Sequence, residues 1–166
     1  MYEYSAKLIR VKDGDSLVLE IDYGMYQKGE WDFRLDGVDT PEIFGGASDE
    51  EKKVGHLAKV FVEATLEKNG PILRVQTLKK SKYDYLVRIL VDADCNGFPL
   101  DDSHPIWKVL TDDKDTEKPP LRWQLTLTDL LIGFGHGLPY SGEKKKPWSE
   151  RKVLLEAARA RWMKAT

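Results

Sequence analysis

The sequence has a single cysteine, Cys95, so no internal disulfide can form and nothing favours an oxidising compartment. No stretch approaches the roughly 18 consecutive apolar residues that a membrane span requires. Met1-Tyr2-Glu3-Tyr4 lacks the basic and apolar regions of a secretion signal. A cytoplasmic address and no membrane partner are therefore expected. Positive charge is not in excess: 26 Lys and Arg stand against 28 Asp and Glu, a formal net charge of −2. That balance does not point to a nucleic-acid binder, which usually offers phosphates an excess of cations. It leaves room for a locally basic groove, because basic residues cluster at Lys79-Lys80-Ser81-Lys82 and Lys144-Lys145-Lys146, and acids at Asp49-Glu50-Glu51 and Asp112-Asp113-Lys114-Asp115. The three histidines, His56, His104 and His136, share no metal-ligand spacing. There is no internal repeat and no low-complexity tract.

The chain does have the makings of one globular domain over 1–166: 41% of its residues are hydrophobic and 33% charged. Residues 4–12 read as a strand before the Asp13-Gly14-Asp15 turn. Leu17, Leu19 and Ile21 alternate on a second strand, and Trp31, Phe33 and Leu35 on a third that ends at Asp36-Gly37. Ser48 and Glu51 have capping-box spacing. Val54, Leu57, Ala58, Phe61 and Val62 then mark a helical stripe that stops at Asn69-Gly70-Pro71. Two more strands fit 71–78 and 84–91. The Pro-, Asp- and Lys-rich segment 94–123 reads as an insertion. A short helix is expected near 126–133, and a last one from Ser149 as N-cap. The order suits a mainly β fold with helices: a five-stranded OB-fold barrel flanked by about three helices.

The densest chemistry lies in Phe33-Arg34-Leu35-Asp36-Gly37-Val38-Asp39-Thr40-Pro41-Glu42, with a cation, several acids and a proline-terminated strand end. Thr40 precedes proline and is biased to an extended backbone, while Pro41 has no N–H to offer a sheet. For such a stretch alone, a solvated strand exit is the ordinary reading. Together with Val11-Lys12-Asp13-Gly14-Asp15-Ser16 it resembles the staphylococcal (micrococcal) nuclease, or thermonuclease, family. That family carries a Val-x-Asp-Gly-Asp-Thr/Ser turn followed by Phe-Arg-Leu-x-x-Val-Asp-Thr-Pro-Glu. Weaker similarity continues at Gly55, Ala58 and Phe61, at Lys82-Tyr83, from Asp129 to Tyr140 and at Lys146-Pro147-Trp148, so that it covers most of the chain except 94–123.

The resemblance implies a calcium-dependent nuclease acting on DNA or RNA, single strands favoured, that leaves 3′-phosphates and works as a monomer. It implies that Asp15, Asp39 and the Thr40 carbonyl hold Ca2+, a hard-oxygen set suited to that ion. Glu42 is implied as the general base, Arg34 as the cation on the scissile phosphate, Lys82 and Tyr83 as phosphate contacts, and Tyr140 as a base-stacking ring. The sequence departs from the family in one place. The usual Lys-Tyr-Gly-Arg reads Lys82-Tyr83-Asp84-Tyr85, so the second catalytic arginine is missing, and Arg88, or failing that Lys82, is the expected replacement. This loss keeps a second reading open, a weak or inactive OB-fold nucleic-acid-binding module. A third, a barrel that makes only protein contacts, rests on Trp107 and Trp123 alone.

Overall fold

The computed structural model describes residues 1–80, 85–91 and 125–165. The expected insertion at 94–123, along with Lys82 and Tyr83, lies outside them. Five strands close a barrel: β1 (Tyr2–Val11), β2 (Ser16–Gly24), β3 (Gln27–Leu35), β5 (Leu73–Lys80) and β6 (Tyr85–Leu90), in the spatial order β1-β2-β3-β6-β5. All neighbours are antiparallel except β3 and β6, which run parallel with Arg34 opposite Leu86. Outside the barrel lie a two-residue strand β4 (Val38–Asp39), helix α1 (Asp49–Asn69), helix α2 (Leu127–Gly133), a strand β7 (Leu138–Pro139) and helix α3 (Trp148–Ala165). The result is the mixed β and α class that the sequence suggests, a closed OB-like barrel with three helices among the described residues. None of those helices is long and apolar enough to cross a membrane.

The alternation in the sequence becomes the barrel interior. Leu17, Leu19 and Ile21 of β2, Phe33 and Leu35 of β3, Val75 of β5, and Val87 and Ile89 of β6 are all buried. Burying each contributes roughly 1.5–3 kcal/mol. The β2–β3 hairpin turns on Met25 and Tyr26, both at positive φ, as a two-residue loop matched to right-handed strand twist requires. Helix α1 starts where expected, Ser48 accepting from the Glu51 backbone N–H at 3.2 Å, and Gly70 ends it at φ +94°. Its buried face is Glu51, Gly55, Ala58, Val62, Thr65 and Leu66. Leu57, expected in the stripe, is instead 55% exposed, because the helix packs through small residues one position later. Helix α2 has a full capping box between Thr126 and Asp129. Helix α3 begins one residue before the expected cap: Pro147 supplies a carbonyl to Glu150 and Arg151, and Ser149 lies inside the first turn.

His136, after α2, is packed against Phe61 with ring centroids 4.5 Å apart. Its Nδ1 has no hydrogen-bond partner among the described residues. Burial, with a smaller contribution from Arg159, pulls its pKa down to about 4. The folded protein therefore binds fewer protons than the unfolded chain between that value and the ordinary His pKa of about 6.5. Stability should be lost as pH falls through this window, by about 2–3 kcal/mol for this group. Urea unfolding of wild type and His136→Gln at pH 7 and pH 4.5 measures the difference. The wild type should lose more stability than the variant, and equal losses would rule out His136 as the source.

Candidate functional site

The two motifs of the N-terminal third meet at one end of β2 and β3. Leu35 N–H donates to the Asp15 carbonyl at 2.8 Å, which locks the Asp13-Gly14-Asp15 turn against the end of β3. Gly14 is required there by contact: a Cβ would stand 2.7 Å from Thr40 Oγ1 and 2.9 Å from Ala58 Cβ. The turn can thus lie on both the 38–42 segment and α1. Beyond β3, Val38 and Asp39 pair with Pro139 and Leu138, and Tyr140 N–H donates to the Gly37 carbonyl at 3.0 Å. This small second sheet, absent from the sequence reading, draws the 138–146 loop over the motif and so delivers Lys145.

The side chains converge. Arg34 Nη2 lies 2.8 Å from Asp15 Oδ2 and 3.4 Å from Asp39 Oδ1. Thr40 N–H donates to Asp15 Oδ2 at 3.2 Å, and Ser16 Oγ to Asp15 Oδ1 at 3.0 Å. Lys145 Nζ sits 2.6 Å from both Asp39 Oδ1 and Glu42 Oε1. Behind them Arg151 reaches Asp39 Oδ2 at 3.4 Å and pairs closely with Glu51, whose carboxylate also accepts the Glu42 N–H at 3.2 Å. The Glu51 carboxylate thus serves the site, and only the Ser48 half of the capping box forms.

Depth differs across the cluster in a useful way. Asp15 and Asp39 are buried, as are Glu51 and Arg151, whereas Arg34, Lys145 and Glu42 retain 27%, 31% and 44% side-chain exposure. The inner pair Glu51–Arg151 acts as a frame, since removing one partner of a buried pair typically costs about 3–5 kcal/mol. The outer three face solvent and any ligand. Burial pushes the Asp15 carboxyl up to about 7 despite the neighbouring Arg34 cation. Lys145 is raised above its ordinary value: burial opposes this, but hydrogen bonds and charge from Asp39 and Glu42 together outweigh it. Asp15, Asp39, Glu42 and Glu51 against Arg34, Lys145 and Arg151 make four carboxylates to three cations. The cluster is short of positive charge.

Arg88 is not part of this cluster. It does leave the barrel on the same outer face as Arg34, since Val87 and Ile89 fill the core, but it emerges two residues further along β6. There its Nε and Nη2 bind Asp36 Oδ2 at 3.0 and 2.8 Å. The expected replacement for the missing arginine is therefore bound elsewhere, on a separate cavity lined by Asp36, Thr128 and Asp129. Lys145, which the sequence shows only as one of a basic cluster, stands instead beside Asp39 and Glu42. Arg151 and Glu51 were also missed. A charged residue within an amphipathic helix gives no sequence signal of burial unless its partner, here 100 residues away, is known.

Gly55 holds Glu42 in place through contact. A Cβ there would meet Ile43 Cγ2 at 2.5 Å and the Pro41 carbonyl at 2.6 Å. Gly55→Ala would gain about 1 kcal/mol of helix propensity, but the clash with backbone should dominate. The expected net loss is about 1–3 kcal/mol, read from the urea midpoint. A stabilised variant would show that the 41–43 segment yields freely.

No protein-family model matches this chain, and no curated protein matches it.

Proposed function

We propose that the chain hydrolyses phosphodiester bonds of nucleic acid in the manner of the staphylococcal-nuclease family that its two motifs resemble. The observation that carries the reading is the convergence of Asp15, Arg34, Asp39 and Glu42 on one half-open cluster, although they span 28 residues of chain and two separate turns. Arg34 and Lys145 supply two cations at its solvent side, where the non-bridging oxygens of a phosphate would lie. Glu42, the most exposed carboxylate, is placed to accept the proton of a water as that water's oxygen attacks phosphorus. Charge would then build on the phosphoryl oxygens, where Arg34 and Lys145 are fixed in advance, and the P–O5′ bond would break, the 5′-oxygen leaving with a proton from solvent and the phosphate staying on the 3′-oxygen.

The residues fit a divalent cation by their chemistry. Asp15 and Asp39 offer hard oxygens, as would the Thr40 carbonyl, and the shortage of positive charge around buried Asp15 is relieved by one such ion. When bound, calcium would polarise the phosphate and stabilise its developing charge. With two carboxylates only, affinity should be weak, about 10⁻⁴–10⁻³ M by analogy with low-affinity calcium sites.

A second reading, a binding module without turnover, is favoured by a specific observation. Asp15, Asp39, Glu42 and Glu51 each already touch a cation, and among the described residues no three His, Cys, Asp or Glu groups could hold a metal ion. Incubating the protein with single-stranded DNA in calcium and then in chelator separates the two. Chelator-sensitive cleavage to 3′-phosphates is expected, and intact DNA in both would leave the module reading. Calorimetric titration with calcium should also show at least tenfold weaker binding to Asp39→Ala than to wild type. Equal heats and affinities would remove Asp39 from the metal site.

A further inference from the structure

Next to the cluster, between the 138–146 loop and helix α3, lies a cavity of about 360 Å³. Its wall carries five cations, Lys144, Lys145, Lys146, Arg151 and Arg161, against two carboxylates, Asp39 and Glu143. Lys145 and Arg151 are already paired with Asp39, Glu42 and Glu51 of the cluster, so the charge proper to the cavity is that of Lys144, Lys146 and Arg161 against Glu143. Glu143, beside Lys146, offsets part of it. Asp39 is engaged by Arg34, Lys145 and Arg151, and Glu143 is turned back on the Ser141 N–H and hydroxyl. Lys144 and Arg161 form no ion pair among the described residues, although both line the cavity. Two long cations facing one cavity without a counter-ion repel each other, and a polyanion would relieve that repulsion.

The cavity is continuous with the candidate site through Asp39, Lys145 and Arg151. Tyr140 also lines it, half-buried, on the loop that β7 anchors. We infer that this cavity is an extended subsite for single-stranded nucleic acid: Lys144 and Arg161 hold the phosphates that flank the one at Arg34, beside Tyr140, the ring that the resemblance already implies for a base. The inference rests on the proposed function for its occupant, because continuity with a phosphate-handling cluster favours a nucleic-acid strand over an acidic peptide. Single strands suit the site, since unpaired bases leave a π-face free to stack on an aromatic ring.

The test is binding, kept apart from turnover. A fluorescein-labelled thymidine octamer is titrated in chelator at several salt concentrations against wild type, Lys144→Gln/Arg161→Gln and the surface control Lys7→Gln/Lys68→Gln. Loss of two phosphate contacts should lower the slope of log K against log salt by about 1.4 and the affinity at low salt at least tenfold, with the control unchanged. Equal slopes for wild type and the Lys144/Arg161 variant overturn the subsite. So does tighter wild-type binding to an oligoglutamate peptide than to the octamer. A wild type that binds through Lys144 and Arg161 but cleaves nothing in calcium refutes the hydrolase reading and leaves the subsite standing. One that cleaves while slope and affinity are indifferent to the substitutions refutes the subsite alone.

Discussion

Glu42→Gln should lower kcat on single-stranded DNA by about 10²–10⁴-fold, the range a positioned general base contributes, with nucleotide affinity within a few-fold of wild type. Glutamine keeps the size of the side chain and an oxygen for the Lys145 ammonium now 2.6 Å away, but it cannot take a proton from water. Folding should hardly change, because the Glu42 side chain is 44% exposed and the backbone N–H that ties it to Glu51 is untouched. Steady-state kcat and KM, with a urea midpoint as control for folding, read the effect. A normal kcat would mean that water is activated by another group and that Glu42 serves only to hold Lys145.

Much of this arrangement is legible in the sequence because it depends on local patterns. The alternation of Leu17, Leu19 and Ile21 and of Phe33 and Leu35 gives the barrel interior directly, since a strand has only two faces. Ser48, Gly70 and the Thr126–Asp129 pair set helix ends through contacts within a few residues. The convergence of Asp15, Arg34, Asp39 and Glu42 is legible only through the resemblance, because spacing alone cannot say that two turns 24 residues apart share a cleft. What stays hidden depends on long-range pairing. The β4–β7 pair is two residues long and carries no periodicity, yet it decides where Lys145 goes. Glu51 matches a capping box so well that its pairing with Arg151 is masked by a local explanation. Arg88 has the right charge on the right strand, and its outward direction follows from parity. The neighbour that captures it, Asp36, is a partner across the parallel β3–β6 pairing, which no local signal reveals.

Lys145→Met should lower kcat by about 10²–10³-fold, the usual cost of losing one fixed donor to a developing phosphoryl charge, while Arg88→Ala leaves kcat unchanged and alters stability by no more than about 0.5 kcal/mol. The pair of variants distinguishes the two cations that could stand in for the missing arginine. Lys145 has contacts with both Asp39 and Glu42, whereas Arg88 is bound to an exposed Asp36 pair, the kind of surface contact worth little. A methionine keeps the aliphatic stem of Lys145 and removes only the ammonium, so packing is preserved. If the ammonium acts on the transition state, KM should move far less than kcat, and Lys145→Arg, which restores a cation, should recover part of the loss. The opposite sign has a physical meaning too. An ammonium between two carboxylates also competes with a divalent cation for Asp39. If that competition is its main effect, Lys145→Met should bind calcium more tightly and turn over faster, and Arg34 would then be the one side-chain cation of the cluster that acts on the phosphate.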